Sequence, residues 1–331
     1  MRVLKKIIVL LVRLGVSVIL LLLLFKFQNI DVPGLLENIR HTDKLLLSLA
    51  FLMASANYII GFYRWKMLLD AVKIHPPLKK IIGSYAGGIF FNAFLPSTIG
   101  GDVVRSLDLS AHTKKPKEVI ATVFLDRLSG YIGTVIVVLF SLLCGWKYIH
   151  GNPEVLWPIA VVTAILVVIL LVLFNSFLFS KINRLLGSGR AGRVQEALKS
   201  LHQELYYFKN HKAVLLKNLV FSLLIQAVSI LNIYIISLSL GVNVSVLYFF
   251  IFFPIIGAIT LLPIAIGGLG LRESMFVFFF SRAGIADNLS VAMSLLGFSF
   301  IVICAAIGGL VYVFTLRYRR LQRHPASRVS G

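Results

Sequence analysis

Leu95-Pro96-Ser97-Thr98-Ile99-Gly100-Gly101-Asp102-Val103-Val104-Arg105 and Leu262-Pro263-Ile264-Ala265-Ile266-Gly267-Gly268-Leu269-Gly270-Leu271-Arg272 present one signature twice. Leu, Pro, Ile, both glycines and the Arg coincide at a constant offset of 167 residues. The same offset lays Leu45–Phe62 over Lys212–Ser229 and Val119–Gly145 over Ala286–Tyr312, and it places Gly130 on Gly297. Pro, Gly-Gly and Arg in register argue against chance recurrence in a sequence rich in Leu and Ile. Each half then reads as helix, helix, interrupted hairpin, helix: repeat one covers about residues 1–150 and repeat two about 151–320.

The composition states the solvent for these halves. Hydrophobic residues make up 58% of the 331 residues and charged ones 14%, where soluble domains run at about 45–50% and about 25%. A water-soluble globule, a nucleic-acid-binding domain and a disordered chain are therefore excluded. Continuous Leu-rich runs, rather than short alternating ones, exclude a transmembrane β-barrel. The fold class expected is an all-α polytopic membrane protein, a single transmembrane domain over 1–320 followed by a basic disordered tail, 321–331. The excess of 33 Lys+Arg over 13 Asp+Glu lies between apolar runs and at the termini. Anionic headgroups and the positive-inside rule account for it, with no nucleic-acid partner. Cys144 and Cys304 sit singly in apolar runs and the seven histidines are scattered, so no metal site and no cofactor is expected.

Six runs are long enough to cross: Ile7–Phe25, Leu45–Phe62, Val119–Gly145, Val155–Phe179, Val214–Leu240 and Leu289–Leu316. A basic linker, 181–212, separates the halves. Ile81–Val104 and Leu247–Phe280 are broken by Pro and Gly-Gly. Basic loops flank the first on both sides, so a hairpin that returns to the cytoplasmic face satisfies the charge rule where a single crossing does not. The second follows a loop without charge, Gly241–Val246, and is expected to enter from outside. The expected topology is six crossings plus two re-entrant hairpins, an inverted repeat with both termini in the cytoplasm. Irregular backbone at membrane depth requires a surrounding of protein or a wet cavity, and inverted repeats of this kind place their site at the repeat interface.

The candidate site follows from the breaks, Pro96, Gly100, Gly101, Pro263, Gly267 and Gly268. Glycine permits tight turns and close backbone approach, and proline interrupts the helical ladder. A helix restarting after such a break offers free N–H groups to an anion. Arg105 and Arg272, one turn further on, add a planar charged fork suited to phosphate, the alternative being that each snorkels to its own interface. Asp126 and Arg127 lie inside an apolar helix. Adjacent helical residues do not face each other, so Asp126 needs a partner elsewhere, Arg105 being a candidate, in either a structural or a functional pair. Glu273 can serve Arg272 as counter-ion or proton site, Asp102 can cap the first hairpin, and Asn92 can cross-link its helices. Arg64 and Trp65 follow the second span and read as an aromatic and basic interface anchor.

The motif Asn92-x-x-Leu95-Pro96-x-x-Ile99-Gly100-Gly101-Asp102-x-x-Arg105, with Asp126-Arg127 and Pro263-x-x-Ile266-Gly267-Gly268-Leu269-Gly270-x-Arg272-Glu273, resembles the flippase-like transmembrane region of lysylphosphatidylglycerol synthases, the UPF0104 group. The resemblance extends from the first helix to about Arg320. It implies movement of a modified phospholipid between leaflets, and stand-alone members imply lipid or isoprenoid-linked substrates. The soluble aminoacyl-transfer domain of the synthases has no counterpart here, and no nucleophile elbow, zinc-protease pair or phosphate loop occurs, so no enzyme is expected. The leading expectation is an inner-membrane translocase of an anionic or isoprenoid-type lipid. The alternatives are a non-catalytic subunit partnering an envelope-lipid or polysaccharide enzyme and, with least support, a membrane aminoacyltransferase.

Overall fold

A computed structural model of the protein describes residues 31–94, 100–149, 211–260 and 268–323, with isolated positions between 15 and 26 and between 157 and 168. Apart from those isolated positions, the expected spans at 7–25 and 155–179 and the linker at 181–210 lie outside the described residues. So do the breaks at Pro96, Pro263 and Gly267. The regular elements described are helices: α1 Val32–Arg40, α2 Lys44–Ala71, α3 Leu78–Phe94, α4 Gly100–Thr113, α5 Pro116–Ile149, α6 Lys212–Ser239, α7 Val246–Thr260, α8 Leu271–Phe280 and α9 Asp287–Arg323, with a short 3-10 turn, Ser281–Ala283, before α9.

Four of these, α2, α5, α6 and α9, are long and apolar enough to cross a membrane. They coincide with four of the six expected spans. The hairpin arms are shorter. At 1.5 Å per residue the 17 residues of α3 reach about 25 Å and the 10 of α8 about 15 Å, less than the roughly 30 Å of a bilayer core. Each pair of arms packs against itself, α3 on α4 and α7 on α8.

Large apolar side chains point outward along every long helix, among them Leu45, Leu52 and Ile59 of α2, Leu216 and Val220 of α6, and Leu310 and Phe314 of α9. Polar groups are buried instead: Asp102, Arg105, Asp126, Asn218 and Glu273 are nearly inaccessible. This inversion of the water-soluble pattern is what a hydrocarbon solvent selects.

The 167-residue offset carries α2 onto α6, α3 onto α7, α4 onto α8 and α5 onto α9. Packing follows the same exchange: α3 lies on α9 as α7 lies on α5, α4 on α5 as α8 on α9, and α5 on α6 as α9 on α2. The most extensive contact is between α2 and α6 themselves. Asp43 N donates to Ser239 O at 2.8 Å at one end, Asn57 Nδ2 to Ser229 Oγ at 2.8 Å midway, and Arg64 Nη1 to Ser222 Oγ at 2.9 Å further along. Rising numbers on α2 meet falling numbers on α6, so the two helices are antiparallel. The register centres near Tyr58 and Ile225, which are themselves 167 residues apart.

Two boundaries differ from the sequence expectation. The second span does not end at Phe62. Nothing from Tyr63 to Ala71 breaks a helix, and α2 continues until Lys73 turns at φ 54° ahead of Pro76-Pro77. Arg64 and Trp65 are therefore helical residues. At the other end α9 runs through Arg317 and on to Arg323, into the segment expected to be disordered. Leu, Arg and Gln favour the helix there, and the next breaker in the sequence is Pro325.

Candidate functional site

The break after α3 brings α4 back so closely that a Cβ on Gly101 would collide with the Gly88 carbonyl oxygen and the Asn92 side chain. Glycine is required at this point for that approach. The Gly101 amide donates to Asn92 Oδ1 at 2.9 Å, so Asn92 does tie the two arms of the first hairpin together. Asp102 and Arg105 follow on the buried face of α4, while Val103 and Leu107 face outward.

Arg105 is held between two acids. Its Nη2 lies 2.9 Å from Asp126 Oδ2 and 3.1 Å from Asp102 Oδ1. Asp126 also accepts from Arg64 Nε at 2.7 Å, and Asp102 Oδ2 forms an ion pair with Arg127 Nε at 2.5 Å. Five charges from α2, α4 and α5 form one chain: Arg64, Asp126, Arg105, Asp102, Arg127. The Arg105 guanidinium sits 5.0 Å from the Trp65 ring and 5.9 Å from that of Tyr85, each adding a cation–π contact. Arg64 extends the chain to α6, where Ser222 gives its own proton to the Asn218 carbonyl and so accepts from Arg64. The partner that Asp126 needed is thus Arg105, together with an Arg64 that the sequence reading had placed elsewhere.

The interface-anchor reading of Arg64 and Trp65 is overturned. Trp65 is 0% exposed, stacks beside Tyr85 and donates from Nε1 to Thr122 Oγ1 at 3.3 Å. Once α2 continues past Phe62, its rotation aims Arg64 inward, where Asp126 compensates it. A signal for this was present: Ala54, Asn57, Gly61 and Arg64 recur at helical spacing as a stripe of small and polar residues, and all four face the interior.

In the second hairpin Gly268 and Gly270 adopt φ of 75° and 85°, open to glycine at little cost. The Gly270 amide donates to Glu273 Oε2 at 2.6 Å, so Glu273 reaches back over the start of α8. Its other oxygen lies 2.6 Å from Arg272 Nη2 and accepts from Ser294 Oγ at 3.0 Å. Arg272 Nε in turn donates to Ser294 at 2.8 Å, and its guanidinium lies 4.7 Å from the Phe298 ring. Glu273 is therefore the counter-ion of Arg272, and Ser294 on α9, which the sequence reading did not single out, completes the cluster.

The two clusters stand against adjoining cavities. One of about 470 Å³ is lined by Arg64, Arg105, Asp102, Asp126, Arg127 and Asn92, among others. The other, about 400 Å³, has Arg272, Ser294, Asn57, Ser229 and Asn232 in its wall. Tyr58, Arg64, Tyr85, Ile225 and Ile301 belong to both. The α2–α6 crossing at Tyr58 and Ile225 is thus the partition between them. Arg105 and Arg272 do not touch each other; each is tied to its own acid, and Arg64 is the charged residue common to both cavities. Among the described residues no group of three or more His, Cys, Asp or Glu has the arrangement of a metal site.

Residues 10–326 match the family model of the lysylphosphatidylglycerol synthase transmembrane region. Two relatives in Methanothermobacter thermautotrophicus (strain Delta H), each described as a UPF0104 membrane protein, are similar along most of their length. One is 25% identical over 285 residues, covering 78% of this chain and 82% of the relative. The other is 24% identical over 309 residues, covering 85% of each. No solved structure shows significant similarity to the chain.

Proposed function

Because the chain belongs to the family of the lysylphosphatidylglycerol synthase transmembrane region, we propose that it is a translocase that carries an anionic or isoprenoid-type lipid between the leaflets of the inner membrane. The observation that carries this reading is the pair of arginine-lined cavities on either side of the α2–α6 crossing, inside a bundle whose outer surface is apolar. An arginine at bilayer depth costs about 2.5–3.5 kcal/mol on insertion scales. A phosphate headgroup crossing the bilayer faces the same penalty, and a polar interior lowers it while the acyl chains stay in lipid.

The two halves are read as an inverted repeat. Equivalent helices that cross antiparallel are related by a two-fold axis perpendicular to them, and for membrane-crossing helices that axis lies in the bilayer plane. In this reading both termini and the loop at Lys114–Lys115 are cytoplasmic, while the turn at Ser281–Gly284 is external. The headgroup enters from the face nearer Arg105 and leaves past Arg272, or the reverse, as the halves rock about the α2–α6 crossing.

The test is reconstitution of the purified chain into vesicles holding a trace of head-labelled phosphatidylglycerol, with a membrane-impermeant reductant bleaching the outer leaflet. The expected result is loss of signal beyond the fraction reached in protein-free vesicles, abolished in an Arg64→Gln/Arg105→Gln variant that remains monodisperse in detergent. Bleaching equal to that of empty vesicles, for phosphatidylglycerol and for isoprenoid phosphates alike, rejects the translocase and leaves the accessory-subunit role.

A further inference from the structure

The outer side of the α2–α6 crossing carries a groove of its own. It holds about 880 Å³, more than either interior cavity and within the roughly 300–1,000 Å³ of small-molecule sites. Ile60, Leu216, Val220 and Phe221 make its walls apolar, and its polar members are Tyr63, Lys66, Asp70 and Lys217. We propose that this groove is a second lipid site, separate from the two cavities. It seats an acyl chain of an anionic bilayer phospholipid against α2 and α6, with the phosphate beside Lys217 and Lys66.

Helical spacing turns the groove away from the cavities. Tyr63, Lys66 and Asp70 share the face of α2 opposite Ala54, Asn57 and Gly61, which line the interior. Leu216 and Val220 likewise stand on the face of α6 opposite Ser222, Ile225 and Ser229. Tyr63, Leu216 and Val220 are more than half exposed, and Ile59 and Leu224 near them are exposed as well. The groove therefore opens on the apolar outer surface of the bundle, where the solvent is hydrocarbon.

Polarity is graded along the groove. On α2, Lys66 and Asp70 lie about 9 Å and about 15 Å beyond Ile60 at 1.5 Å per residue. On α6, Lys217 lies one turn nearer the helix start than Phe221. These two ends coincide, since Ala71, Val72, Val214 and Leu215 pack together around Leu68 and Leu125. Lys73 and Lys212 are exposed at that same end. A phospholipid has the matching gradient, hydrocarbon toward the bilayer centre and charge at the interface.

Charge sets the sign of the head. Asp70 is already shared: its Oδ2 lies 2.7 Å from Lys66 Nζ and its Oδ1 3.2 Å from His75 Nδ1. Among the described residues no acid pairs with Lys217. The Lys66 ammonium keeps further protons to donate, so a phosphate beside both lysines gains them without displacing Asp70. Lysines that only snorkelled to the headgroups would need no concave apolar floor beneath them. Because α2 belongs to one half of the chain and α6 to the other, an occupant touches both halves and stabilises their crossing by mass action. This goes beyond the translocase reading and does not depend on it.

The experiment is native mass spectrometry of the full chain in detergent with added phosphatidylglycerol or phosphatidylcholine, the unfolding midpoint being read in parallel. Arg64→Gln/Arg105→Gln removes two interior arginines and separates the groove from the transport path. This variant is expected to bind phosphatidylglycerol better than phosphatidylcholine and to unfold at a higher temperature with it. Lys217→Gln, in that background and in the wild type, is expected to weaken phosphatidylglycerol at the groove about fivefold, the effect of one lysine near an anionic surface. Lys217→Arg is expected to retain binding. Val220→Trp fills the groove without altering charge and is expected to weaken binding at least as much as Lys217→Gln. Glycerophosphoglycerol, a head without acyl chains, is expected not to compete.

Binding that vanishes in Arg64→Gln/Arg105→Gln, yet is unchanged by Lys217→Gln and by Val220→Trp, overturns the second site. Competition by glycerophosphoglycerol makes the site one for a free phosphodiester and overturns the lipid. A dimer that Val220→Trp splits in the absence of lipid gives the groove to a second copy of the chain. A midpoint that Val220→Trp lowers equally with and without lipid gives it to another segment of the same chain, and either result overturns the lipid. Absence of transport by the wild type, with groove binding as expected, overturns the translocase and leaves the second site standing.

Discussion

The two halves of this protein share a backbone plan and differ in chemistry. Arg105 and Arg272 are equivalent, as are Gly130 and Gly297, but Met293 stands where the first half has Asp126, Leu269 where it has Asp102, and Ser294 where it has Arg127. The first half therefore builds a chain of five charges and the second a compact pair, Arg272 with Glu273. Around that pair lies the main apolar cluster, where Phe249, Phe276, Phe279 and Phe280 are essentially inaccessible. Equivalent helices pack alike in the two halves, while the polar residues at the two hairpins differ.

That comparison breaks most sharply at Asp126. Asp126→Ala strips both Arg64 and Arg105 of a buried partner, and breaking such pairs costs about 3–5 kcal/mol. Met293→Leu at the equivalent position keeps the volume and is expected to cost less than about 1.5 kcal/mol. Thermal unfolding in detergent reads the contrast, and equal losses would mean that the charged chain does not hold the first half together.

The glycines come next. Gly101→Ala forces α3 and α4 apart, at about 3 kcal/mol, the upper end of overpacking. At Gly268 an added Cβ would have its nearest neighbour at 3.6 Å, so Gly268→Ala meets only the strain of its positive φ, about 1–2 kcal/mol. Denaturant titration of the two variants orders them, and a larger loss at Gly268 would reverse the assignment of close approach to the first hairpin.

Glu273→Gln leaves an oxygen for the Gly270 amide but removes the charge facing Arg272, for about 1.5–3 kcal/mol, the range of charged hydrogen bonds. Trp65→Phe keeps an aromatic face under Arg105 and loses the bond to Thr122, for about 0.5–1.5 kcal/mol. It is the smallest expected effect, visible as a modest shift of the unfolding midpoint.

Much of the architecture was legible in sequence because hydrocarbon imposes length and apolarity on every crossing. Four spans follow from that constraint, while the hairpins were read from Pro and Gly-Gly and the 167-residue offset from the recurrence of that signature with its Arg. The ends of α2 and α9 were less legible. A charged residue reads as the end of a span until its partner is known, and the partner of Arg64 is 62 residues away on another helix. Asp126 and Arg127 were picked out as charges inside an apolar helix, Arg105 as a candidate partner of Asp126 and Asp102 as a hairpin cap, yet their assembly into one chain with Arg64 needed the packing of α4 on α5. Ser222 and Ser294 carried no signal of their own, since a serine in an apolar helix usually bonds back to its own turn.

The proposed inverted repeat is tested directly by exchanging Cys144 and Cys304 for alanine and placing single cysteines at the exposed positions Lys115 and Ser281. A membrane-impermeant maleimide applied to intact cells is expected to label Ser281→Cys and to reach Lys115→Cys only after permeabilisation. Labelling of both positions from the same side would mean parallel halves, and no path between the leaflets could then run through their interface in the manner described.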